Sequence, residues 1–77
     1  MPARTIADPF AQQIGARLRD LRLEQGKSLA TIEVASGVSK GHLSNIERGH
    51  VLVNIMTLRN LARGLGVQLA VLFQGLE

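Results

Sequence analysis

Seventy-seven residues, 45% of them hydrophobic and none of them cysteine, suffice for one small domain and exclude both a disulfide framework and a thiolate metal site. Nine Lys and Arg against six Asp and Glu set a formal net charge of +3, which favours a polyanionic partner without naming one. The longest apolar run, LAVLF at 69–73, is far below the roughly 20 residues a membrane helix needs, and MPARTIADPF lacks the apolar core of a secretory signal, so a soluble cytoplasmic chain is expected.

No repeat, low-complexity stretch or interior linker divides the chain, so residues 1–7 read as a flexible N-terminal tail and 8–77 as the domain. Asp8 followed by Pro9 marks a helix start, because aspartate caps exposed N–H groups and proline loses no bond at the first helical position. Phe10, Ile14, Leu18 and Leu21 then recur at helical spacing and predict a first helix to about Glu24. Arg17 and Arg22 flank that stripe, and Arg19 and Asp20 lie farther round. Ser28 caps a short second helix with Leu29 and Ile32 inward, stopped by Gly37. Ser39 caps a third helix that ends at Gly49. Two short helices either side of a glycine-containing turn make a helix-turn-helix arrangement, in which the second helix can enter a DNA major groove.

After the apolar loop HVLV, Asn54 caps a fourth helix with Ile55, Leu58, Leu61, Ala62 and Leu65 inward. A fifth, from about Gln68 to Phe73, supplies Leu69, Leu72 and Phe73 to the core. No segment alternates apolar and polar residues over strand length, so an all-α domain of five helices is expected.

The ordered signals RLRDLRLEQGKSL, SGVSKGHLSNIERG and NIMTLRNLARGLGVQLAVLF resemble those of the phage-repressor-like, or Xre-type, helix-turn-helix regulators over about residues 10–73. The resemblance implies a bacterial or phage DNA-binding regulator of transcription, with the second and third helices as the motif. Three places depart from the family's pattern. Leu29 stands where a phosphate-touching glutamine is usual, Glu33 where a small alanine is usual, and Val51, Leu52 and Val53 where proline and a basic residue are common.

In the third helix Leu43 and Ile46 share an inward face, which leaves Lys40, Gly41, His42, Ser44 and Asn45 outward, most of them near the helix N-terminus, the end that meets base edges in docked modules. Lys40 suits guanine O6 and N7, and the Asn45 amide suits adenine N7 and N6. Ser44 and His42 can serve base or phosphate, and Gly41 either lets DNA approach closely or is a tolerated defect on an exposed turn. Arg48 and His50, at the helix end, are candidates for phosphate contact. Ser28 and Ser39 are caps whose helix N-termini also present N–H groups to phosphate. The resemblance further implies that Glu47 pairs with Arg22 as a structural tie.

Ala70 and Val71 replace acidic residues common in the family, and Met56 lies near Leu52. By analogy with related small regulators these four residues form a two-fold homodimer interface; the alternative is that the loop buries Leu52 and Val53 in its own core. The expected partners are double-stranded DNA, a second copy and a possible regulatory protein, with no membrane, no metal and no cofactor. A helix-turn-helix-derived protein-interaction module without sequence-specific DNA binding is the alternative function. An enzyme is not expected, since the chain has only two histidines, scattered carboxylates and no HExxH run or glycine-rich phosphate loop.

Overall fold

Each α-helix begins at a side chain that satisfies otherwise unpaired backbone donors. In the computed structural model, which describes residues 8–76, the Asp8 carboxylate accepts from the backbone N–H of Phe10 at 2.8 Å and of Ala11 at 3.2 Å, opening α1, Pro9–Glu24. Ser28 Oγ accepts from Thr31 N–H at 3.0 Å to open α2, Leu29–Ser36. Ser39 Oγ accepts from His42 N–H at 3.2 Å to open α3, Lys40–Glu47. Asn54 Oδ1 accepts from Thr57 N–H at 2.8 Å to open α4, Ile55–Leu65. Such caps contribute about 1 kcal/mol each. The tail assigned to residues 1–7 lies outside the described residues.

Gly37 ends α2 at φ +78°, in the left-handed region that costs residues with a Cβ, and so turns the chain directly into α3. Ser36 holds that turn from the side: its Oγ donates to Ile32 O at 2.7 Å and accepts from Val38 N–H at 3.1 Å. Val38 is thereby carried into the core between the two helices.

One core is built from all the elements: Ile14 and Leu18 of α1, Ile32 of α2, Leu43 and Ile46 of α3, and Leu58, Leu61, Ala62 and Leu65 of α4. Full burial of each large side chain stabilises the fold by about 1.5–3 kcal/mol. α1 packs across α3, and α2 packs against α4. Both crossings use glycine. A Cβ at Gly15 would collide with the carbonyl oxygen of Ile46, and one at Gly64 would lie 3.1 Å from Ser36 Cβ.

Two expectations are corrected. The structure has four α-helices among the described residues, and the fifth segment, Leu69–Phe73, is a 3-10 helix. Five residues between Gln68, which makes no side-chain cap, and the turn at Gln74 and Gly75 are too few for an α-helical ladder, and the bonds formed span three residues, as from Val71 N–H to Gln68 O. The segment still closes the core, with Leu72 buried and Leu69 and Phe73 packed against it. The second correction is Ile55, which is 57% exposed instead of inward. Helical side chains lean toward the N-terminus, so an apolar residue at the first position of α4 projects past the end of the core.

Candidate nucleic-acid interface

The outward side of α3 is fixed from below. Leu43 and Ile46 are each only 1% exposed and clamp the helix onto α1 and the rest of the core. On its other side Ser39, Lys40, Gly41, His42 and Asn45 are exposed and Ser44 is half-buried. The side chains of Lys40, His42 and Asn45 make no hydrogen bond among the described residues. Rigid backbone with unengaged donors at its leading end is the arrangement a base-reading surface requires. A Cβ at Gly41 would meet nothing within 4 Å, so the chain's own packing does not demand glycine there.

Ser28 and Ser39 are engaged as caps through their Oγ atoms. Arg48, exposed, folds back along α3 so that its Nη2 donates to Ser44 Oγ at 2.7 Å. His50 is half-buried and its backbone N–H donates to Asn45 O at 3.0 Å, which closes the last turn of the helix.

Behind this surface lies a half-buried ion pair. Arg22 Nε donates to Glu47 Oε2 at 2.7 Å and Nη2 to Oε1 at 2.9 Å, with the two side chains 12% and 6% exposed. Arg22 Nη1 also donates to Lys27 O at 2.9 Å, so one guanidinium ties α1, the loop before α2, and the end of α3. The hydrogen bond from Glu47 raises the Arg22 pKa above its ordinary value; burial opposes this and the attraction of the two charges adds to it. With both oxygens of Glu47 occupied, its charge is compensated close to the recognition face.

The residues assigned to self-association are all at least partly exposed. Leu52 is 68% and Met56 53% exposed, Ala70 is exposed and Val71 half-buried. Val51 and Val53 pack against the core, so the loop folds back only in part. Leu52 and Val53 line a groove with Phe10, Ala11, Ile14 and Leu58, and the Phe10 ring stacks on Phe73 with centroids 6.3 Å apart. Phe10 and Ile55, exposed but not assigned to the patch from the sequence, extend it. Sequence reasoning also missed Arg17, whose Nη1 donates to Val71 O at 2.6 Å and whose Nη2 donates to Gln74 O, fastening the 3-10 segment to α1. No signal within one helical turn announces a contact with partners more than fifty residues away.

No helix among the described residues is long and apolar enough to cross a membrane. The family described as helix-turn-helix domain matches residues 13–72. The chain is 39% identical over 61 residues to the HTH-type transcriptional regulator DdrOP3 of Deinococcus deserti, covering 79% of this chain and 47% of that protein. It is 41% identical over 61 residues to the HTH-type transcriptional regulator SlrR of Bacillus subtilis, covering 78% of this chain and 40% of that protein. The chain thus spans less than half the length of these two relatives. Among solved structures, the restriction-modification controller protein C.AhdI from Aeromonas hydrophila superposes with a TM-score of 0.79 at 32% identity, covering 82% of this chain and 96% of that one.

Proposed function

This chain belongs to the helix-turn-helix family of Xre-like regulators, and from that premise we propose that it is a DNA-binding transcriptional regulator whose α3 reads a two-fold operator as a homodimer. In this reading α2, the Gly37 turn and α3 are the motif, and residues 8–77 are the DNA-binding domain. The observation that carries it is the exposed side of α3, where Lys40 at its start and Asn45 farther along present unengaged donors on a helix held by buried Leu43 and Ile46.

Lys40 donates to guanine and the Asn45 amide pairs with adenine, each good pair supplying about 1–3 kcal/mol of discrimination. Ser44 and His42 contact base or phosphate beside them, and Gly41 admits the duplex closely. Arg48, His50 and the capped N-termini at Ser28 and Ser39 meet phosphates, which position the protein without reading sequence. Selection of bound duplexes from a random library at near-physiological salt tests this. An inverted repeat should enrich with the wild-type chain and disappear with Lys40→Ala plus Asn45→Ala. A folded wild-type chain that enriches nothing would leave the protein-interaction module as the better reading.

Two copies of α3 must lie about 34 Å apart to enter successive major grooves on one side of a duplex. The apolar surface formed by Leu52, Met56, Ala70 and Val71, extended by Ile55 and Phe10, supports the pairing of two chains through this side. Replacing both Leu52 and Met56 by glutamate should leave a folded monomer in sedimentation and weaken binding to the inverted repeat far more than to a half-site. An unchanged dimer would place the interface elsewhere.

A further inference from the structure

A groove of about 360 Å³ opens between α1, the start of α2 and the C-terminal half of α3, lined by Arg19, Arg22, Leu29, Ser44, Glu47 and Arg48. Its charge is not what a count of those residues suggests. Glu47 is bound through both carboxylate oxygens by Arg22, so that pair contributes little net field. Arg19 and Arg48 remain, two guanidinium groups from two different helices facing one space. Arg48 turns Nε and Nη2 toward Ser44, whereas the Arg19 side chain makes no hydrogen bond or ion pair among the described residues. The Leu29 side chain supplies no donor to the wall, which leaves the guanidinium groups as its dominant side-chain chemistry. Two guanidinium groups lining one open groove match the oxygens of a phosphate.

The groove's position says which phosphate. Lys40, Ser44 and Arg48 follow one another at intervals of four along one side of α3 and its cap. Eight residues of helix span about 12 Å, close to the width of the major groove. With the Lys40 end against base edges, the Arg48 end and Arg19 beside it meet the sugar-phosphate strand at the groove wall.

We infer that this groove binds a DNA backbone phosphate, with Arg19 of α1 as its principal donor. The inference rests on the DNA-binding reading above and adds to it a contact outside the helix-turn-helix. Arg19→Gln in the full chain tests it, with affinity measured over a range of salt concentrations for the selected operator and for an unrelated duplex. Affinity for both duplexes should fall by the same factor, and the slope of log K against log salt should shrink by about 0.9 per protomer. Arg19→Lys should retain the slope, and the melting temperature should hardly move because the Arg19 side chain has no hydrogen-bond or ion-pair partner among the described residues. An unchanged slope for Arg19→Gln, with specific binding still destroyed by Lys40→Ala plus Asn45→Ala, would overturn the groove and leave the reading of α3 standing. Loss confined to the operator would also overturn it, since a phosphate donor does not discriminate sequence. A wild-type chain that binds neither duplex would overturn both; inorganic phosphate shifting the Arg19 guanidinium NMR signal in that case would assign the groove to a free phosphorylated ligand instead.

Discussion

Replacing Gly15 by alanine should lower the stability of this domain by about 3 kcal/mol, the upper part of the range for overpacking. The added methyl would collide with the carbonyl oxygen of Ile46 and sit 2.9 Å from that of Glu47, and both are backbone atoms that no rotamer change can move aside. Relief requires α1 to lift from α3, which disturbs Ile14 and Leu18 on one side of the crossing and Leu43 and Ile46 on the other. In a domain of this size each kcal/mol shifts the melting temperature by roughly 4–8 °C, so a fall of about 12–24 °C is expected by circular dichroism. Gly41→Ala is the matched comparison. Its Cβ enters open space, and alanine is favoured over glycine in a helix by about 1 kcal/mol, so that variant should melt higher. If Gly15→Ala melts within a few degrees of wild type, the α1 and α3 crossing is soft and the recognition helix is not held as closely as described above.

Glu47→Ala should cost about 3–5 kcal/mol, because it leaves the Arg22 guanidinium 12% exposed with Lys27 O as its remaining partner. The loss arises from the stranded charge more than from the attraction itself. A double variant, Arg22→Met with Glu47→Leu, should therefore recover most of the stability, and a double-mutant cycle by urea denaturation should report strong coupling. Additive losses would mean that the pair is not a unit. The pH dependence has a definite sign. A group whose pKa is raised by folding contributes stability that is fully present below its unfolded value and is lost only as pH rises through the folded one. Arg22 is raised, so its contribution should persist through the physiological range and fade only in strong alkali.

The candidate site was legible in parts that differ in kind. That Lys40, His42 and Asn45 would face outward follows from the inward spacing of Leu43 and Ile46, and their exposure agrees with that spacing. The pairing of Arg22 with Glu47 came from the family resemblance, since nothing in their separation of 25 residues requires it. Arg19 was placed on the far side of α1 and given no role; only the packing of α1 beside α3 brings it to the same groove as Arg48. Exposed Phe10 and Ile55 were not read as part of the apolar patch because helical spacing says which way a side chain points, not whether a neighbour covers it.

By itself the sequence determined where helices begin and stop. Asp8, Ser28, Ser39 and Asn54 each cap donors two or three residues ahead, and Gly37 can adopt a left-handed backbone wherever it stands. These effects act within one turn and need no partner from elsewhere in the chain. Tertiary structure alone decided how closely α1 crosses α3 at Gly15, that Arg17 fastens the 3-10 segment, and which arginines share a groove. Those outcomes depend on interhelical distances held to within a few tenths of an ångström between segments far apart in sequence, set by the simultaneous packing of one core, and no local pattern encodes them.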